Sequence, residues 1–199
     1  MTMNAKQNYK WNELTMGTCY YPEHWDESLW RDDLKRMLEN GIEVIRIAEF
    51  AWSKIERYEG VFNYDFFDRF LDVAADMGMK VIFCTPTATP PAWLTEKYPE
   101  VLNANMDGVL YRHGGRRHYN YNSPKYQELT TIIVEKSASH YAKHPAIIGW
   151  QIDNELNCEK NEFYSESDTI AFRKFLMEKY GSIDALNEAC GTNFWNQTY

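Results

Sequence analysis

The strongest constraint on this chain is the order in which two kinds of segment alternate. Short runs rich in β-branched residues recur, separated by longer stretches with apolar residues at helical spacing. Met16 to Tyr21 is β-prone, and Leu29 to Asn40 then places Trp30, Leu34, Met37 and Leu38 on one helical face before Gly41 stops it. Glu43 to Ile47 carries Val44, Ile45 and Ile47, as expected of a buried strand, and Phe66 to Met77 repeats the helical pattern up to Gly78. Met79 to Cys84 is the third strand. Ser123-Pro124 reads as an N-cap with proline at the first helical position, opening a helix that stops near His144-Pro145. Ala146 to Ile152 is the fourth strand. Ser167 or Asp168 caps a fourth helix through Tyr180 with Phe172, Phe175 and Leu176 on its apolar face, and Ser182 to Ala189 forms one more short helix.

Strands alternating with helices indicate βαβ units on a parallel sheet, an α/β chain with no second domain marked in residues 1–199. Two architectures share that pattern, the doubly wound sheet and the (β/α)₈ barrel, and in both the chemistry lies at the carboxyl ends of the strands. A closed barrel takes about 250 residues and about 200 is near the minimum, so a chain of 199 raises the expectation of an incomplete barrel.

Composition narrows the function. Twenty-one Lys and Arg against 29 Asp and Glu leave a formal charge of -8, which disfavours nucleic acid and anionic lipid as partners. No G-x-G-x-x-G follows the first strand and no G-x-x-x-x-G-K-[ST] occurs, so nucleotide binding lacks its usual signal. The N-terminus lacks a signal-peptide pattern and no apolar run approaches the ~20 residues of a membrane span, so a soluble, cytoplasmic protein is expected. Cys19, Cys84, Cys158 and Cys190 form no CxxC pair; such scattered thiols are expected as buried hydrophobes, although the even count leaves a bridge open. Aromatic residues make up 16%, and rings with an apolar face and a polar handle suit hydroxyl-rich ligands as well as a core.

Each candidate strand runs directly into polar or aromatic residues. Tyr21, Pro22, Glu23, His24 and Trp25 follow the first; Ala48, Glu49, Phe50, Ala51 and Trp52 follow the second. Any one of these alone is equally a capping or packing residue, and it is their recurrence at equivalent strand ends that points to a site. The third strand is followed by the long connection 85–122, which contains Thr87-Ala-Thr-Pro-Pro-Ala-Trp93 and Gly114-Gly-Arg-Arg-His-Tyr119, and connections beyond ~15 residues are usually functional. The fourth strand ends in Gln151-Ile-Asp-Asn-Glu155. Regular alternation puts Gln151, Asp153 and Glu155 on one face, but only for as long as the strand stays regular. A carboxyl desolvated at such a strand end can protonate a leaving group near neutral pH, with Asn154 bonding a substrate hydroxyl. The alternative is that Asp153, Asn154 and Glu155 cap the next segment or bind a divalent cation with Glu159, although no His-rich ligand set accompanies them.

Asn154-Glu155 at the fourth strand end resembles the clan A glycoside hydrolases. Tyr20-Tyr-Pro-Glu-His-Trp25, Arg46-Ile-Ala-Glu-Phe-Ala-Trp52, Thr85-Pro-Thr-Ala-Thr-Pro-Pro91, Gly114-Gly-Arg-Arg-His-Tyr119 and Gln151-Ile-Asp-Asn-Glu155 are similar to signature segments of family 42 β-galactosidases, as is Gly191-Thr-Asn-Phe-Trp-Asn-Gln-Thr-Tyr199. The resemblance covers nearly the whole chain from Gly17. It implies the first half, about four β/α units, of a (β/α)₈ TIM barrel, within one truncated domain over 1–199.

The same resemblance implies a galactoside substrate, no cofactor, and a homotrimer for the full-length protein. By position it gives Glu155 as the general acid/base and Asn154 as its sugar-bonding neighbour. Arg46, Glu49 and Arg116 resemble family residues that contact galactose or orient the carboxylates, and Trp195 resembles an aromatic wall of the pocket. Some members carry a four-cysteine zinc cluster. Here Asn120 stands at the first position, Asn161 to Ser167 has no cysteine, and Cys158 alone is no tetrahedral site, so metal is not expected. The nucleophile of this clan ends the seventh strand and so falls outside these residues. Glu49 and Asp153 are not given that role by the pattern, and the chain alone is expected to be inactive, the alternative being a barrel fragment with at most weak sugar binding. Half a barrel also leaves two open sheet edges and an exposed apolar lumen.

Overall fold

The computed structural model describes residues 14–156, 158–192 and 194. These form two compact units, one of residues 14–93 with 130–156 and the other of 94–129 with 158–192 and 194. Chain order is β1 (Met16–Cys19), α1 (Trp30–Glu39), β2 (Ile42–Ile47), α2 (Trp52–Ile55), β3 (Glu56–Tyr58), β4 (Val61–Phe62), α3 (Asp65–Asp76) and β5 (Lys80–Cys84). Then come α4 (Ala92–Lys97), α5 (Pro124–Tyr141), β6 (Ile147–Gln151), α6 (Glu166–Tyr180) and α7 (Ile183–Cys190). The four sheet strands and the α1, α3 and α5 helices expected from sequence are present, with ends within a few residues.

The first unit is built on a sheet in the order β1-β2-β5-β6, every neighbouring pair parallel. A doubly wound sheet reverses its strand order at a switch point, whereas this one advances without reversal, as a barrel does. β1 and β6 are its edges, and β6 is half-buried along its whole length. Ile45, Ile47, Val81 and Phe83 are fully buried on the helix side, where Phe83 meets Phe67 of α3 at 5.7 Å between ring centroids. Trp30 of α1 packs edge-on against Phe66 and Phe70 at 5.2 and 5.1 Å. Each such side chain contributes about 1.5–3 kcal/mol by leaving water. Register pairs Cys19 with Arg46 and Arg46 with Ile82, so these residues lie across the sheet from the Ile45–Ile47 face. β1 approaches β2 so closely that a Cβ at Gly17 would lie 2.9 Å from the Val44 carbonyl oxygen.

A two-stranded antiparallel hairpin, β3–β4, was not evident from periodicity. Its turn is fixed by the buried carboxylate of Glu56, which accepts from Trp52 Nε1 at 2.7 Å and from the Gly60 amide at 2.8 Å.

In the second unit α6 differs from expectation in two ways. Its N-cap is Ser165 rather than Ser167 or Asp168, because Ser165 and Asp168 bond reciprocally as a capping pair. Phe172 and Phe175 are 60% and 51% exposed, and the only buried residue of the helix is Asp168, so a polar anchor at its first turn holds α6 instead of its apolar face. Asn120 donates to Ser165 and Ser167, both at 2.8 Å, and Asn122 donates to Asp168 at 2.7 Å. The position where some family members place a cysteine is thus the hub of a hydrogen-bonded tether. All four cysteines are free, and only Cys84 is buried; Cys19 and Cys190 are exposed, contrary to the buried-hydrophobe expectation, since both sit at element ends rather than inside the packing. No helix among the described residues is long and apolar enough to cross a membrane.

Candidate active site

Backbone strain in the first unit concentrates where β2 and β6 end. Ala48 has φ 74°, Asp153 φ 53° and Glu155 φ 47°, left-handed values that cost a non-glycine residue roughly 1–2 kcal/mol each. Such conformations persist only where surrounding bonds over-determine them, and they gather at functional sites. The strand-end alternation therefore stops at Gln151: Asp153 and Asn154 turn inward to 6% and 7% exposure while Glu155 is exposed.

Arg46 is the centre of the site. Its Nη2 donates to Glu49 Oε1 at 2.7 Å and to Cys19 Sγ at 3.0 Å, and its Nη1 donates to Gln151 Oε1 at 2.8 Å. Tyr21 Oη donates to the same Glu49 oxygen at 2.9 Å. Gln151 Nε2 passes the chain of bonds on to the Asp153 carbonyl at 2.8 Å and to Asn154 Oδ1 at 3.1 Å. One continuous network thus runs from Glu49 through Arg46 and Gln151 to Asn154, spanning β1, β2 and β6.

Glu49 is fully buried, and its Oε2 has no hydrogen-bond partner. Burial, then the bond to Glu49, pushes the Tyr21 phenol up to about 12. Burial, reinforced by the Glu49 charge, likewise pushes the Cys84 thiol up to about 12, so it stays protonated at neutral pH. Glu23 Oε2 is buried without a partner; burial chiefly, with the negative charge of Glu49 adding, raises that carboxyl above its ordinary value. The Arg46–Glu49 ion pair thus sits beside a phenol and a thiol that both keep their protons at neutral pH.

Asp153 is held at four atoms. Its amide donates to Thr85 Oγ1 at 2.7 Å, its Oδ2 accepts from Thr87 Oγ1 at 2.8 Å, its Oδ1 accepts from the Asn154 amide at 2.6 Å, and its carbonyl accepts from Gln151. Of the residues expected from sequence, Arg46, Glu49, Asn154 and Glu155 thus belong to one unit. Arg116 belongs to the other, where its Nη1 meets Glu159 Oε1 at 3.2 Å, and Trp195 lies outside the described residues. Tyr21, Gln151, Thr85 and Thr87 were not among the expected site residues; their positions at strand ends were the available signal. Among the described residues no three His, Cys, Asp or Glu side chains cluster as a metal-ligand set.

Ionisable side chains gathered at the carboxyl ends of unreversed parallel strands are the pattern of a partial (β/α)-barrel. The chain belongs to glycoside hydrolase family 42, whose model, described as Beta-galactosidase, matches residues 19–199. It is 42% identical over 187 residues to Beta-galactosidase Bga of Halorubrum lacusprofundi, covering 94% of this chain and 27% of that protein. To Beta-galactosidase BgaA of a Thermus species it is 45% identical over 185 residues, 92% of this chain and 29% of that one. The crystal structure of the β-galactosidase from psychrophilic Marinomonas ef1 superposes with a TM-score of 0.88 at 43% identity, covering 94% of this chain and 28% of that one. The β-galactosidase structure from Halorubrum lacusprofundi gives 0.89 at 42% identity over the same shares. The chain therefore spans somewhat more than a quarter of the length of these relatives.

Proposed function

We propose that these residues form the acid/base half of a retaining β-galactosidase site. The observation that supports the reading is the strained turn after β6, where Asn154 joins the Arg46–Gln151 network and Glu155 follows it in sequence, in a chain of this family. Glu155 protonates the aglycone oxygen as the bond from that oxygen to the anomeric carbon breaks, and a carboxylate attacks the anomeric carbon from the other face. Glu155, now ionised, takes a proton from water as the water oxygen displaces that carboxylate. Asn154, Arg46 and Glu49 engage or align the galactose hydroxyls, with Arg116 and Trp195 carried as further contacts by resemblance.

The attacking carboxylate comes from outside these 199 residues. Glu49 is committed to Arg46 and Tyr21, and Asp153 to Thr87 and the Asn154 amide, which supports neither as nucleophile. The chain by itself is accordingly inactive in this reading.

Glu155→Gln in the full-length protein tests the role. The kcat/KM on β-galactosides with poor leaving groups falls by about 10²–10⁴-fold, while kcat/KM on 2,4-dinitrophenyl β-galactoside, which needs no protonation to depart, is far less affected. Equal loss on both substrates, or none, removes Glu155 from acid/base duty.

A further inference from the structure

We propose that Thr87, together with Thr85, is a positioning residue for Glu155, a role that rests on the acid/base reading above. The two hydroxyls reach Asp153 from sequence separations of 66 and 68 residues. Thr85 and Thr87 are 2% and 6% exposed, and their hydroxyl oxygens lie 3.4 Å apart, so the pair forms a small buried polar platform beneath the turn. Its first effect is on the backbone. Thr85 Oγ1 receives the Asp153 amide, which the left-handed φ of 53° has swung out of the sheet ladder, and gives it the partner that the next strand residue would otherwise provide. The second effect is on the side chain. Thr87 Oγ1 fills one carboxylate oxygen of Asp153 while the Asn154 amide fills the other, so the carboxylate cannot rotate and the peptide that follows is fixed in direction.

Glu155 begins one peptide further on and is itself left-handed at φ 47°. In a left-handed residue the direction of Cα–Cβ depends on the preceding peptide plane, because no regular ladder holds it. The bonds from Thr85, Thr87 and Gln151 converge on Asp153 and, with the Asn154 amide, fix the Asp153–Asn154 peptide, from which Asn154 carries the chain to the plane before Glu155; Glu155 is exposed, with its own backbone in no strand. Asp153, the acidic residue nearest to Glu155 in sequence, is therefore a buried internal clamp, and the threonine hydroxyls set its pose. Valine at position 87 keeps the shape and removes the bond; serine keeps the bond.

The test uses the full-length protein and two substrates per variant, methyl β-galactoside and 2,4-dinitrophenyl β-galactoside. Displacing an acid by about 1 Å costs on the order of 10²-fold in the step that needs it. Thr87→Val therefore lowers kcat/KM on the methyl glycoside by about tenfold or more beyond its loss on the dinitrophenyl substrate, and Thr87→Ser restores the wild-type ratio within about twofold. The ratio is measured on one sample, so partial unfolding lowers both rates alike and leaves it unchanged. If Thr87→Val yields no soluble protein, Thr87→Ala is read in the same way. A wild-type ratio in the soluble variant overturns the positioning role. Glu155→Gln, run alongside, separates the two ideas: a flat ratio there overturns the acid/base reading itself, whereas a steep ratio there with a flat one at Thr87 overturns only the positioning role.

Discussion

Replacing Arg46 with methionine strands a carboxylate that the fold has sealed from water. Glu49 is fully buried and loses its nearest cation, 2.7 Å away, keeping the hydrogen bond from Tyr21. At an effective dielectric of about 20, the direct attraction in a pair at that distance is about 6 kcal/mol. Part of it only repays the cost of taking Glu49 out of water, and Arg46, with 29% of its side chain exposed, was never fully desolvated. Breaking a buried pair on one side costs about 3–5 kcal/mol, and the partial exposure of Arg46 selects the lower end, about 3 kcal/mol. That is a large part of the ~5–15 kcal/mol by which a domain is usually stable. Urea unfolding at pH 7 should read this loss as a lower midpoint at constant slope. Arg46→Met combined with Glu49→Gln recovers most of the stability, since no charge is left buried. A loss below about 1 kcal/mol, or a double variant no more stable than the single one, refutes the view that this pair matters as a compensated charge.

Two further outcomes are expected. Asn120→Ala removes the donor shared by the buried Ser165 and the half-buried Ser167 hydroxyls and lowers stability by about 1–3 kcal/mol, with faster amide exchange in the first turn of α6; unchanged exchange there contradicts the tether. His118 is 5% exposed, and burial, with the nearby His113 adding and the Gly115 carbonyl opposing, holds its pKa below the ordinary 6.5. The unfolded chain therefore takes up a proton first, so stability is full above pH 6.5 and falls as pH drops below it. Urea midpoints between about pH 7 and 5 should fall less steeply in His118→Gln, and parallel slopes would show that His118 contributes nothing.

The sheet was legible in the sequence because its determinants are local. Val44, Ile45 and Ile47 are β-branched and buried wherever β2 packs, and Gly41 and Gly78 end helices in left-handed conformations that any sequence reader expects of glycine. The α6 face was misread because periodicity reports that Phe172 and Phe175 share a side of a helix and says nothing of what covers them. Asn154 and Glu155 were placed at a strand end correctly, but the left-handed turn that presents them was invisible. Its cause lies in hydroxyls 66 and 68 residues upstream, and no window of local pattern spans that distance. The same holds for Gln151, whose partner Arg46 lies 105 residues away.

The sheet order β1-β2-β5-β6 is also the order of synthesis. After β1, each strand leaves the ribosome, at roughly 5–20 residues per second, with one hydrogen-bonding neighbour already made. The sheet can therefore grow by one-sided accretion. The Arg46–Gln151 bond forms only when the last of the four strands arrives, which makes the site itself a late reporter of how far assembly has gone.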